Sequence, residues 1–334
     1  MTVIELVASL VAILGAAIVF TNAVEMLGDR LDLGQGAAGS VLAAVGTALP
    51  ETMIPTVAII VAALTGGSAA AQIGVGAILG APFLLTTLAM FVVGASVIGF
   101  RDRRESGTRI DIHEDTTRRD VSYFLIFFSL AAVAGIWTLP IYLKVPLAIL
   151  LVGAYAFYVR QTLKHGGGEQ EAPEKLWLWP FSSEPPTWAV AAQLIAMIGV
   201  MVVGAHFFVE AVEHISKSLG VPPGLIALVL APLATELPEK FNSVYWARDN
   251  DDKLAFGNIT GAMVFQSMVP VALGISLTPW DFDFLNWIAV ALALFSGALL
   301  YLQLKRKKPV RASLLLVGGA LYAVFVVVAT FTIL

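Results

Sequence analysis

Apolar residues along this chain gather in uninterrupted stretches of about 18 to 25 positions, separated by short polar segments. A helix needs about 20 such residues to cross the hydrocarbon layer. Lipid tolerates only helices or closed barrels, and barrel strands would alternate polar and apolar residues, which these stretches do not. The pattern therefore predicts an all-α, polytopic membrane protein with about ten transmembrane helices, at 3–27, 36–64, 69–98, 121–139, 141–161, 188–213, 222–248, 254–277, 285–304 and 310–333. Met1 to Phe20 has no basic leader and reads as the start of a first span, not a cleaved signal. The longest polar interruptions are 101–120 and 162–187. The second holds Gly166 to Gly168 and the pair Pro185–Pro186, and reads as a cytoplasmic linker between a first half (1–161) and a second (188–334). It is too short to bury a core of its own.

Composition narrows the class. Hydrophobic residues make up 58% of the 334 positions and charged residues 13%, with a mean hydropathy of +0.85. Soluble domains carry about 25% charged residues, so a soluble enzyme and a disordered chain are both excluded. A net charge of −4 leaves no basic surplus for nucleic acid. Cysteine is absent, which removes disulfides, thiolate metal sites and cysteine nucleophiles. Neither a nucleotide-binding loop nor a hydrolase or zinc-peptidase motif occurs, so no enzyme and no cofactor is expected. Seventeen of the 20 Lys and Arg fall in the loops 28–35, 99–120, 160–187, 248–253 and 305–311, all on one side of the ten-span plan. Lys144 and Lys217 are on the other side, and Lys240 is inside a span. This bias puts the basic loops in the cytoplasm and both termini outside the cell membrane. Trp177, Trp179 and Trp188 suit an interfacial aromatic belt.

The chain also repeats itself. Residues 20–51 and 208–239 match at 13 of 32 positions without gaps, at an offset of 188. The shared Val24-Glu25 and Val212-Glu213, and the Thr-x-Leu-Pro-Glu ending both segments, are matches that a greasy composition does not produce by itself. The repeat resumes at an offset of 181, with Gly76, Ile78, Gly80 and Ala81 against Gly257, Ile259, Gly261 and Ala262. An offset of five spans reverses the direction of each matching helix, giving two inverted five-helix repeats, a common plan of secondary transporters.

Pro50 and Pro238 lie about halfway along the second and seventh spans. A proline frees the carbonyl four residues earlier, here Gly46 and Ala234. In hydrocarbon that carbonyl needs another partner: a cation, a hydroxyl or a water. Beside each proline lies a carboxylate, Glu51 or Glu239, at mid-depth, where a charge costs about 2.5–3.5 kcal/mol on insertion scales. Thr47 and Thr235 stand four residues earlier on the same helical faces. Carboxylate, hydroxyl and freed carbonyl are hard oxygen donors, suited to Ca²⁺, Na⁺ or Mg²⁺. A lone proline kink or a protonated packing Glu would be structural; their duplication at matching positions points to a transport site.

The segments Gly46-Thr47-Ala48-Leu49-Pro50-Glu51 and Thr235-Glu236-Leu237-Pro238-Glu239, with Gly257-Asn258-x-x-Gly261 on the following span, resemble the signatures of the sodium/calcium exchanger family, within the cation/Ca²⁺ exchanger superfamily. The resemblance covers spans 1–3 and 6–8. It implies that Glu51 and Glu239 are paired cation ligands, with Thr47 and Thr235 adding oxygens. The sequence departs from the family pattern at Ala48, Ala77, Ala81-Pro82, Leu85 and Ala262-Met263, where polar ligands are missing. It gains a carboxylate at Glu236 and carries Gln266 where the family places an Asn or Asp.

Glu236 and Lys240 stand four apart in the favourable ion-pair order. They can neutralise each other, or Lys240 can act as a tethered cation displaced by an arriving ion. Glu25 and Glu213 suit either interfacial snorkelling or gating, and His206 with Glu210 either a local hydrogen bond or a proton relay. The expected function is secondary antiport of a small inorganic cation, Ca²⁺ first, against Na⁺ or H⁺ by alternating access. Proton-coupled exchange of Mg²⁺, Mn²⁺ or Na⁺, and a degenerate non-transporting family member, stay open. A channel fits less well, since channels are usually rings of subunits or carbonyl filters.

Overall fold

The structure, a computed structural model, describes residues 2–30, 37–137, 139–163, 175–182 and 184–333; for 28–30, 37–50, 163 and 237–241 it describes the backbone alone. Among these residues there are helices and two isolated bridges, and no strand. The helices are α1 (Thr2–Arg30), α2 (Ala37–Thr65), α3 (Ser68–Leu84), α4 (Met90–Gly99), α5 (Glu114–Ala134), α6 (Ile141–Leu163), α7 (Thr187–Leu219), α8 (Pro223–Arg248), α9 (Asp252–Gln266), α10 (Val269–Leu277), α11 (Phe284–Lys305) and α12 (Ala312–Ile333). With α3 and α4 joined by a π-turn at Leu85–Ala89, and α9 and α10 joined at a break, they make the ten predicted spans. Seven of the described helical stretches are long and apolar enough to cross a membrane by themselves. The Glu51–Thr65 part of α2 and the Pro223–Thr235 part of α8 are shorter apolar stretches.

The two broken spans are the third and the eighth. At the repeat offset of 181, Leu85–Ala89 corresponds to Gln266–Pro270, so both repeats interrupt the α-helix at the same place. In the first, Pro82 withholds an N–H, and the hydroxyls of Thr86 and Thr87 turn back onto the carbonyls of Pro82 and Phe83. In the second, Met268 leaves helical geometry (φ −122°, ψ −62°) just before Pro270. A hydropathy window does not detect either break, because both sides remain apolar.

Small residues set the packing. Every residue from Ile73 to Leu84 in α3 is buried, and a Cβ on Gly76 or Gly80 would overlap the carbonyl oxygen of Gly224 or Leu228 in α8. The third span of one half is thus pressed against the second span of the other. Helix α1 buries Ile13, Ala16, Ala17, Phe20 and Val24, a stripe at helical spacing, against α7. There a Cβ on Gly204 would stand 2.9 Å from Ile13 Cγ1.

Two boundaries shift. Helix α5 starts at Glu114, inside the predicted 101–120 loop. Glu114 and Asp115 in its first turn suit the positive end of a helix dipole, so it forms beyond the apolar limit. Helix α7 runs six residues past 213, carrying a Glu213–Lys217 pair, and stops at Gly220, whose φ of +69° only glycine adopts cheaply.

The loops with most of the Lys and Arg meet on one face, called here the basic face. Arg104 is central to it, with 0% side-chain exposure. It pairs with Asp252 at 2.7 Å and also donates to the carbonyls of Ala247, Gly107 and Arg109. The 101–113 loop, expected mainly to set topology, is therefore also a clasp that ties the first half to the ends of α8 and α9. The Ile110 N–H adds a bond to Val310 O. On the opposite face, Lys144 Nζ donates to Thr278 O at 2.6 Å and Pro279 O at 3.2 Å. Of the linker, residues 164–174 and Ser183 lie outside the described residues. Its Leu176–Trp179 turn packs on α1 and α7, where Asn22 accepts from Trp177 N and Gln193 accepts from Leu178 N. Trp179 and Trp188 meet edge to face at 5.1 Å.

Candidate cation-binding site

Three buried polar side chains from three helices meet at the centre of the fold. Glu51 follows Pro50 on α2 and is 9% exposed; Glu236 on α8 is 0% exposed; Gln266 ends α9 and is 1% exposed. Gln266 Nε2 donates to Glu51 Oε2 at 2.5 Å and to Glu236 Oε1 at 2.9 Å. A primary amide has two N–H groups, so one nitrogen serves a carboxylate from each half. The helix break after Gln266 permits this position, since the residue sits at an end and not under a continuing turn. Its repeat counterpart, Leu85, is fully buried and apolar. The site is therefore lopsided: the second half supplies the bridging amide for both.

Thr235, 6% exposed, sits one residue before Glu236, and its hydroxyl donates to Ala231 O at 3.1 Å, leaving its oxygen able to accept. Thr47, Glu239 and Lys240 fall on α2 and α8, but their side chains lie outside the described residues. The expected meeting of Glu51 with Glu239 and the Glu236–Lys240 pairing therefore have no geometry here. Glu236 itself faces Glu51 through Gln266. Among the described residues, no three carboxylate or histidine side chains converge as a metal cluster.

Sequence reasoning left out Tyr155. It lies half-buried on α6 and packs edge-on against Phe265, the neighbour of Gln266, at 5.4 Å. Its sequence signal was a tyrosine pair, Tyr155 and Tyr158, one turn apart in an otherwise apolar span. Of the other candidates, Glu25 is half-buried, and Glu213 pairs with Lys217 at 3.9 Å. His206 and Glu210 are about half exposed and 3.3 Å apart, a local pair on the outer surface of α7.

Two buried carboxylates, one from each half, thus share one neutral amide. The family described as "sodium/calcium exchanger protein" matches residues 1–163 and 189–333, which leaves out only the linker region and the last residue. The chain belongs to this family. It is a multi-pass membrane protein of a class that exchanges inorganic cations. A solved H⁺/Ca²⁺ exchanger, CAX, superposes over 98% of this chain and 81% of its own, with a TM-score of 0.71 at 17% identity. The sodium-calcium exchanger NCX_Mj superposes over 98% and 99%, with a TM-score of 0.57 at 20% identity. These likenesses show the shared fold. An uncharacterized membrane protein of Methanocaldococcus jannaschii is 27% identical over 164 residues, 49% of this chain and 51% of that protein, so the match spans about half of that relative.

Proposed function

We propose that the protein is a secondary antiporter that moves Ca²⁺ across the membrane in exchange for Na⁺ or H⁺. The observation that carries this reading is the convergence of Glu51 and Glu236, one from each half, on Gln266. With Glu239 and Lys240 beside them on α8, three carboxylates and one lysine give the site a net charge of −2, which one divalent ion neutralises. Calcium accepts carboxylate, amide and backbone oxygens in irregular geometry, which suits a site built from two helices and a helix end. Glu239, Thr47 and Thr235 complete the proposed ligand set. Family membership, and the ions named for CAX and NCX_Mj, support calcium as the cargo.

In this reading the basic face is cytoplasmic, following the charge bias of the loops, and both termini are outside. Helices α1 and α7 form the crossing pair that slides across the other spans and alternates access to the site. Exchange follows because the competing ions use the same carboxylates. The test is flux in proteoliposomes. Wild-type protein should take up ⁴⁵Ca²⁺ against unlabelled internal Ca²⁺ and should concentrate it under an imposed Na⁺ or pH gradient. Uptake with neither property, under any gradient across a panel of Ca²⁺, Mg²⁺, Mn²⁺, Na⁺ and K⁺, would leave the non-transporting reading.

A further inference from the structure

Asp120 is a buried acid that the central site does not use. It lies on α5 and is 2% exposed. Its Oδ1 accepts from Tyr158 Oη on α6 at 3.0 Å and from Arg119 Nη2 at 3.2 Å; its Oδ2 accepts from Thr260 Oγ1 on α9 at 2.9 Å. Thr260 is fully buried, and Arg119 Nη2 also reaches Thr162 Oγ1 at 2.9 Å, with its guanidinium 5.0 Å over the Tyr158 ring. A carboxyl in this setting is bound by donors on both oxygens yet sealed from bulk water.

Its place along the helices gives it a role. Helix α9 runs from the basic face to Gln266. Thr260 lies eight residues from Asp252 and six from Gln266, about 12 Å and 9 Å at 1.5 Å per residue. Asp120 is thus roughly midway between the basic face and the central site. On α6, Tyr155 stands one turn deeper than Tyr158, with ring centroids 6.2 Å apart, and meets Phe265, the neighbour of Gln266, at 5.4 Å. Asp120, Tyr158 and Tyr155 therefore lead from the basic face toward Gln266 and the central site.

We propose that Asp120 is a proton-binding station on the route between the basic face and the central site, and that it gives the exchanger its coupling to protons. This rests on the antiporter reading above. The groups facing Asp120 are few. They are Arg119 on its own helix, Tyr158 on α6 with Tyr123 stacked against that ring, and the neutral Thr260 on α9. Helix α10 has no ionisable residue. The one charged residue of α11 is Lys305 at its end, and those of α9 are Asp252 and Lys253 in its first turn. A proton taken from water at the basic face neutralises the carboxylate and loosens the Arg119 contact; its release restores both.

The experiment uses the full-length protein in proteoliposomes, with ⁴⁵Ca²⁺ self-exchange measured beside uptake driven by a pH gradient in Na⁺-free buffer. Self-exchange needs no proton. Asp120→Asn should keep self-exchange within about twofold and lose pH-driven uptake at least tenfold, and Asp120→Glu should recover it. Thr260→Val removes one donor to the carboxylate, which favours its protonated form, and should move the midpoint of the pH profile toward alkaline. This variant also serves if Asp120→Asn does not fold. Undiminished pH-driven uptake in Asp120→Asn, equal loss of both activities, or an unmoved midpoint in Thr260→Val each overturns the proposal. Wild-type exchange driven by Na⁺ alone overturns it too, while leaving the antiporter standing. Wild-type protein without self-exchange sinks the antiporter reading itself.

Discussion

At the residue scale, the central site turns on one amide. Each Gln266 bond is charge-assisted, a class worth about 1.5–3 kcal/mol when buried. Gln266→Ala removes both and takes away the one group seen to bridge Glu51 and Glu236. The ion-free variant should be destabilised by about 3 kcal/mol or more. Saturating Ca²⁺ should recover much of that, because the cation takes the place of the lost donor. Thermal unfolding with and without Ca²⁺ measures both effects; a variant as stable as wild type without Ca²⁺ would show that the amide carries no such load. Glu51→Gln and Glu236→Gln leave the fold but remove one charge each, so each should lower Ca²⁺ uptake at least tenfold. Wild-type flux in either would refute the ligand assignment. Glu51, Glu236 and Gln266 were all legible in the sequence, because a duplicated Pro-Glu and polar residues in apolar spans are local signals. That Gln266 touches both halves was not, since it depends on where the eighth span breaks.

At the element scale, legibility followed the apolar runs. All ten spans and their inversion could be read, because burial in lipid writes itself into composition over 20 residues. The π-turn at Leu85–Ala89 and the break before Val269 could not, because they interrupt hydrogen bonding without interrupting hydropathy. Nor could the buried Arg104, which looked like one of several loop cations until tertiary contacts picked it out. Removing one partner of a buried ion pair typically costs about 3–5 kcal/mol. Arg104→Ala should do so, and Arg104→Lys should rescue little, since a lysine has no fork to span Asp252 and three carbonyls. Thermal unfolding in detergent tests this, and a near-wild-type Arg104→Lys would refute the clasp. Small residues give a paired test. Gly80→Ala forces a methyl onto the Leu228 carbonyl, whereas a Cβ on Gly257 meets nothing within 4 Å. The first should cost at least about 1–3 kcal/mol and the second should be neutral or slightly stabilising.

At the scale of the whole molecule, the two halves share a sequence pattern but differ in burial. Along α3, Ile73 is 0% exposed, Ala77 is 5% exposed, and Gly76 and Gly80 are buried. At the same repeat positions along α9, Leu254 is 56% exposed, Gly257 is exposed, and Asn258 and Gly261 are half-buried. The α3 residues line the half of the molecule away from the basic face, and the α9 residues line the half next to it. Alternating access in a transporter of inverted repeats moves one bundle against the other around a fixed site, so matching faces of the two halves should differ in their access to water. The more exposed of the two is the α9 face, next to the basic side. The absence of cysteine makes this directly measurable, because a single introduced thiol has no background. Asn258→Cys should react with a membrane-impermeant maleimide added from the basic face, and Ala77→Cys should react at least tenfold more slowly from either face. Conditions that drive the opposite state, such as an imposed counter-ion gradient, should narrow that ratio by exposing position 77 from the far side. Equal labelling at rest would mean that the halves are equivalent, and the alternating-access reading would then lose its structural footing.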